Sequence, residues 1–225
     1  MKYFIDSANV DKIKGIVDRF PCDGVTTNPT ILARESDDPA KTLLAIRGII
    51  KDRLLFAQVT AVDGQAMIAQ SKTLCEKIGG PISIKIPATE AGIYAMKELK
   101  TCGISVTATA VYTVQQAIIC AKAGVDFIAP YVAHIDDYGI DSAETVENMA
   151  RLLSVHSPDT VILAASFRVA EQINRVIAAG AGAVTLTPET YEKLIVSDGT
   201  KREADAFLKN WKNKFGEREI TDFFN

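Results

Sequence analysis

Short apolar stretches rich in β-branched residues alternate with longer amphipathic ones along the whole chain. The strand-like stretches are Tyr3–Ser7, Gly24–Asn28, Leu54–Thr60, Ile82–Pro87, Ile104–Tyr112, Phe127–Val132, Val161–Ser166 and Ala183–Pro188. Between them, positions recur at helical spacing. Met67, Ile68, Ser71, Cys75 and Ile78 share one face, and Val146, Met149, Ala150 and Leu153 another. Asp141-x-x-Glu144 has the form of a helix-start capping box with Asp in the cap position. Strands alternating with helices imply parallel pairing through crossovers, and eight such units predict a single (β/α)8 TIM barrel, an α/β fold. A doubly wound sheet is the competing arrangement, but the GxGxxG turn that often marks it is absent.

A barrel gathers its functional side chains at the C-terminal ends of its strands. Those ends carry Asp6, Asn28, Gln58, Lys85, Thr109, Tyr131, Ser166 and Thr187. The widest interval, Tyr131 to Ser166, contains His134–Ile140, expected as a polar loop overhanging that face. After the eighth strand comes a further helical stretch, read as opening at Thr200-x-x-Glu203. Its Ala204, Phe207, Leu208, Trp211 and Phe215 form one apolar face, although a barrel's helical ring is already complete. The expected organisation is therefore a barrel over 1–199, then a C-terminal helix and tail over 200–225. That helix must cap its own barrel or dock on a neighbouring subunit.

Composition narrows the function classes. The 225 residues carry 25 Lys+Arg against 28 Asp+Glu, a net charge of −3, so nucleic acid and anionic membranes find no basic surface. No apolar run approaches the ~18 residues of a membrane span. Asp6 falls where a signal peptide needs apolar residues, so a cytoplasmic protein is expected. Cys22, Cys75, Cys102 and Cys120 form no CxxC pair, and only His134 and His156 could join them. That spacing predicts no metal site, and the cysteines read as small apolar fillers in a reducing compartment.

Lys85 is the sharpest chemical signal. It lies between Ile84 and Ile86 in a central strand, where an ammonium is costly to bury. A neutral amine at a barrel mouth suits carbonyl addition and Schiff-base formation; a lysine snorkelling to solvent is the alternative. Asp6 ends the apolar run Tyr3-Phe4-Ile5 and could serve that amine, or could simply cap the next helix. Gln58 and Thr109 are neutral donor–acceptors that could position a water, and Tyr131 could relay a proton. Ser166-Phe167-Arg168 precedes a helix whose apolar face is read as Val169, Ile173 and Val176. A hydroxyl and a guanidinium at a helix N-terminus make an anion site, with an ordinary cap and a surface arginine as the alternative.

Several ordered motifs resemble the short transaldolases and fructose-6-phosphate aldolases. They are Phe4-Ile-Asp6-Ser-Ala, Gly24-Val-Thr-Thr-Asn-Pro-Thr30, Lys85-Ile-Pro87, Thr109-Ala-Val-Tyr112, Ala129-Pro-Tyr131-Val and Ala164-Ala-Ser-Phe-Arg168. The resemblance runs from Met1 to the Trp211 helix. It implies that Lys85 is the Schiff-base lysine and Asp6 its acidic neighbour. It implies further that Asn28 and Thr26 contact a dihydroxyacetone unit, and that Gln58, Thr109 and Tyr131 hold the catalytic water. Ser166 and Arg168 would bind the acceptor phosphate. Members of the family need no metal or other cofactor, and decameric members pass a C-terminal helix to the adjacent subunit.

Within that family, the resemblance associates Gln on strand three and Tyr on strand six with aldolases, and Glu and Phe with transaldolases. Gln58 and Tyr131 fall on the aldolase side. One position departs from the aldolase pattern: Tyr131-Val-Ala-His134-Ile-Asp136 has a titratable imidazole where the relatives carry arginine. The resulting expectation is a class I aldolase of carbohydrate metabolism, connected with the pentose phosphate pathway. It would interconvert fructose 6-phosphate with dihydroxyacetone and glyceraldehyde 3-phosphate, with His134 beside the phosphate. Transaldolase activity is the alternative, and a non-catalytic sugar-phosphate-binding barrel a further one. The expected partners are small sugar phosphates, not nucleic acid or membrane, in a homo-oligomer (a pentamer or decamer).

Overall fold

The computed structural model describes residues 1–224. The chain begins with β1 (Lys2–Asp6), α1 (Val10–Arg19), β2 (Gly24–Thr26), α2 (Pro29–Glu35), α3 (Pro39–Ile50) and β3 (Leu54–Gln58). It continues through α4 (Gly64–Ile78), β4 (Ile82–Pro87), α5 (Glu90–Thr101), β5 (Ser105–Val111), α6 (Val114–Lys122) and β6 (Phe127–Pro130). Then follow α7 (Val132–Asp137), α8 (Ser142–His156), β7 (Val161–Ala164), α9 (Ala170–Ala178), β8 (Ala183–Leu186), α10 (Pro188–Lys193) and α11 (Asp198–Phe215). The eight strands form a closed parallel barrel in sequence order, with β1 pairing β8. The (β/α)8 expectation holds, and no helix among the described residues is long and apolar enough to cross a membrane.

Strand alternation builds two cores. Ile5, Val25, Leu55, Ile84, Ile86, Val106, Ile128 and Val184 face outward and pack, fully buried, with the helices. Facing inward, Phe4, Phe56, Phe127, Leu163 and Ala183 fill the barrel floor. Phe56 meets Phe4 and Phe127 edge-on, with ring centroids 5.0 and 5.1 Å apart. Above this floor the inward positions turn polar, with Thr26, Ser83, Thr107 and Thr185 all buried. Ser83 and Thr107 bond each other at 2.8 Å, so the transition from apolar to polar leaves their hydroxyls paired.

Two local features bear on the rim. Gly24, at φ +151°, lies against β3 so closely that an added Cβ would come within 1.9 Å of the Leu54 carbonyl oxygen. Only glycine fits there. In β5 the register shifts between Ala108 and Val111, with Ala110 at φ 53°. This bulge re-aims the strand end that carries Thr109.

Helix starts follow the polar signals. Asp141 caps α8, its Oδ1 accepting from the Ala143 and Glu144 amides at 2.8 and 3.1 Å. The stretch His134–Ile140 is not simply a loop. Its first residues belong to α7, because Val132, Ala133 and Ile135 find buried positions on one helical turn.

The chain divides into two compact units, Met1–Tyr191 and Glu192–Asn225, upstream of the 199/200 boundary expected from sequence. In the second unit α11 starts at Asp198, not at a Thr200 cap. Ser197 offers an earlier hydroxyl, which accepts from the Thr200 amide at 3.2 Å. Trp211 and Phe215 pack with Phe223 of the tail, and Trp211 Nε1 donates to the Arg218 carbonyl at 2.6 Å. Phe207 and Leu208 stay exposed, at 68% and 56%.

Candidate active site

A cavity of about 460 Å³ opens at the C-terminal ends of the strands. Among its lining residues are Asp6, Asn28, Gln58, Lys85, Tyr131, Ser166 and Thr187, seven of the eight strand-end positions singled out from sequence. The eighth, Thr109, is not among them; it is fully buried, its hydroxyl 3.2 Å from the Tyr131 hydroxyl.

Lys85 is only 3% exposed, and its Nζ donates to the Thr27 carbonyl oxygen at 3.2 Å. Burial pushes the amine below the ordinary lysine range, and the Asp6 charge only partly opposes this. Asp6 shifts the other way. Burial raises its carboxyl, while Lys85 and a hydrogen bond from Thr26 pull it down.

The Thr26 hydroxyl donates to Asp6 Oδ1 at 2.6 Å and lies 2.6 Å from Thr185 Oγ1. Having one proton, which goes to Asp6, Thr26 must accept from Thr185. Thr26, which the resemblance sets against substrate, is fully buried and not among the cavity residues, and its hydroxyl is engaged by Asp6.

Gln58 is the register partner of Lys85 on the adjacent strand. Its Oε1 is buried with no hydrogen-bond partner among the described residues, so the rim holds an acceptor that the protein leaves unsatisfied. Across the cavity, burial raises the Tyr131 hydroxyl, with the Thr109 bond acting against the shift. Asn28 caps α2, its Oδ1 accepting from the Ile31 amide at 2.9 Å. Its NH2 group is the end that can meet a ligand.

His134 lines the same cavity, its Nδ1 2.8 Å from Ser166 Oγ. Ser166 sits at φ 63°, a conformation seldom adopted away from glycine, at the turn leaving β7. Arg168 does not join them. Its guanidinium makes a bidentate ion pair with Asp137 on α7 and is not among the cavity residues.

The helix-terminal anion site expected at Ser166–Arg168 is also partly closed. Gln172 Oε1 accepts from the Arg168 amide at 2.8 Å and the Val169 amide at 3.3 Å. Of the apolar face predicted for α9, Ile173 and Val176 are buried, whereas Val169 is 57% exposed because it is the cap residue before the first turn. The cysteines, read together as fillers, differ among themselves: Cys120 is buried and Cys102 exposed.

Sequence reasoning passed over Thr185 and Arg34, both of which line the cavity. Thr185 has the same strand parity as Ala183 and Thr187, a signal that was available. Arg34 lies on α2 and pairs with Glu35, whose Oε2 accepts from Ser7 Oγ and the Ala8 and Asn9 amides at 2.8, 2.9 and 3.2 Å. The pair thus ties α2 to the turn that follows Asp6. Nothing in the local sequence announces the long-range bonds of Glu35 that hold this pair in place.

The site therefore combines a desolvated amine, a half-buried carboxyl, a tyrosine–threonine pair and an unsatisfied amide oxygen. Comparison with known protein families finds a match over residues 3–222 to the model described as Transaldolase/Fructose-6-phosphate aldolase. With nearly its whole length matched, and with the closed barrel such a match requires, this chain belongs to the transaldolase/fructose-6-phosphate aldolase family of enzymes.

Proposed function

We propose that the protein is a metal-independent Schiff-base aldolase that cleaves fructose 6-phosphate into dihydroxyacetone and glyceraldehyde 3-phosphate and catalyses the reverse addition. The observation that carries this reading is Lys85, an almost fully buried amine held below its ordinary pKa at the wall of the strand-end cavity. A depressed amine is nucleophilic near neutral pH and adds to the C2 carbonyl; loss of water then gives the iminium. Asp6, oriented by the Thr26 hydroxyl, lies within electrostatic reach of that nitrogen and serves its proton transfers.

The electron pair of the breaking C3–C4 bond moves into the iminium, leaving an enamine on Lys85. The proton leaving the C4 hydroxyl passes to a water held by Gln58 Oε1, Thr109 and Tyr131, and glyceraldehyde 3-phosphate departs. Reprotonation at C3 and hydrolysis release dihydroxyacetone and restore the amine. Asn28 presents its NH2 group to the dihydroxyacetone unit, while Ser166 and His134 meet the acceptor end.

The amide of Gln58 cannot ionise, so it favours aldol cleavage assisted by Tyr131 over a carboxylate-assisted transfer. Borohydride treatment with and without fructose 6-phosphate, followed by mass mapping, tests the intermediate. A three-carbon adduct is expected on Lys85, and trapping elsewhere overturns the reading. Comparing dihydroxyacetone release with transfer to erythrose 4-phosphate separates this aldolase from a transaldolase.

A further inference from the structure

The cation expected to hold a phosphate is engaged elsewhere. Arg168 and Asp137 form a two-point ion pair, with side chains 59% and 44% exposed. Two residues upstream, Ser166 lines the cavity and bonds to His134, which stands on α7 with Asp137. The backbone flanking Arg168 is pinned, since Gln172 accepts from the Arg168 amide and its Nε2 donates to Asp136 Oδ2 at 2.6 Å. The guanidinium thus extends from a pinned backbone to an exposed carboxylate partner. A carboxylate and a phosphate ester present the same pair of oxygens to an arginine fork, so they compete for it.

We propose that Asp137 is a specificity-determining residue that competes with the phosphate group of the substrate for Arg168 and so weakens the preference for phosphorylated over unphosphorylated acceptors. Both side chains are solvated, so exchanging one oxyanion for the other requires no burial of an unpaired charge. For an exposed pair the competition is modest, about three- to fivefold in affinity. This inference rests on the aldolase reading for the identity of the ligand, but the exchange itself is read by anion binding alone.

The test titrates inorganic phosphate calorimetrically into the full chain at fixed ionic strength, comparing wild type, Asp137→Asn, Arg168→Gln and the double variant. Asp137→Asn should bind phosphate about three- to fivefold more tightly, or bind it where wild type shows none. Arg168→Gln should weaken binding, and the double variant should show no gain over Arg168→Gln. A gain that persists without Arg168 would mean a general charge effect and would overturn the proposal. So would unchanged affinity in Asp137→Asn, or phosphate binding indifferent to Arg168 because Arg34 takes it. Asp137→Ala, checked for an unchanged melting profile, should reproduce the Asn result. In catalytic assays the KM ratio of glyceraldehyde to glyceraldehyde 3-phosphate should rise in Asp137→Asn. If wild type forms no lysine adduct yet phosphate binding follows this pattern, the aldolase reading fails and the competition stands.

Discussion

Gln58 and Lys85 are direct register partners on β3 and β4, so an amide with an unsatisfied carbonyl oxygen stands beside a buried amine. Neither group is placed by a flexible loop. Both project inward from strands whose outward residues, Ala57, Ile84 and Ile86, are locked in the apolar core. Lys85→Met keeps the length of the side chain and removes its nucleophile. It should abolish both turnover and the borohydride adduct while leaving the chain folded, as judged by circular dichroism. Residual adduct at another lysine would contradict the assignment.

The shift of Lys85 has a sign that pH profiles can read. Burial favours the neutral amine, whereas the Asp6 charge favours the protonated form. The rate of adduct formation should rise with pH through an apparent pKa below the ~10.4 of a free lysine. Asp6→Asn removes the opposing influence, so that rise should move to still lower pH even as the maximal rate falls. A limb moving towards higher pH would show that Asp6 does not act on Lys85 as a charge.

In the proposed mechanism Tyr131 carries the acid–base work that an amide at position 58 cannot. Tyr131→Phe should lower the aldol cleavage rate by roughly 10²–10⁴-fold, as for a lost general acid–base group. Paired with Gln58→Glu, it should shift product from released dihydroxyacetone towards transfer to erythrose 4-phosphate. An unchanged product ratio in the double variant would count against these two positions as the determinants.

Much of this architecture was legible in the sequence, because strand parity and the barrel's closure act together. Once eight apolar stretches are assigned, each strand end is a rim position, and Asp6, Asn28, Gln58, Lys85 and Tyr131 follow. What was not legible depends on which hydroxyl or carboxylate reaches which partner. The family resemblance sets Thr26 against substrate, and no periodicity shows that Asp6 and Thr185 engage its hydroxyl. Arg168 reads as an anion ligand, yet Asp137, 31 residues upstream, holds it. Such pairings depend on side-chain directions inside the barrel and between its outer helices and loops, which periodicity does not encode.

Assembly is a separate expectation. On α11, Trp211 and Phe215 are covered by the tail's Phe223, whereas Phe207 and Leu208 are bare. Neighbouring apolar side chains left in water on one helix favour association. We expect a homo-oligomer that Phe207→Ser with Leu208→Ser weakens and that truncation before Ser197 abolishes. Light scattering coupled to gel filtration reads this directly, and a stable wild-type monomer at low micromolar concentration would refute it.

The last prediction concerns His134, which stands in the cavity with its Nδ1 against Ser166 Oγ. The ring also packs beside Tyr131, with centroids 5.6 Å apart. An imidazole bonded to Ser166 through Nδ1 has one further nitrogen to offer, whereas arginine offers a permanent charge and a fork of donors. His134→Arg should therefore lower KM for glyceraldehyde 3-phosphate about tenfold, the order of one added charge-assisted bond in a partly solvated site. The KM for unphosphorylated glyceraldehyde should stay nearly constant, since that acceptor has no anion to recognise. The gain should shrink at high salt, because screening weakens the new cation–phosphate attraction. Equal changes for both acceptors would mean instead that the larger side chain disturbs Ser166 and Tyr131, and that position 134 shapes the cavity without reading charge.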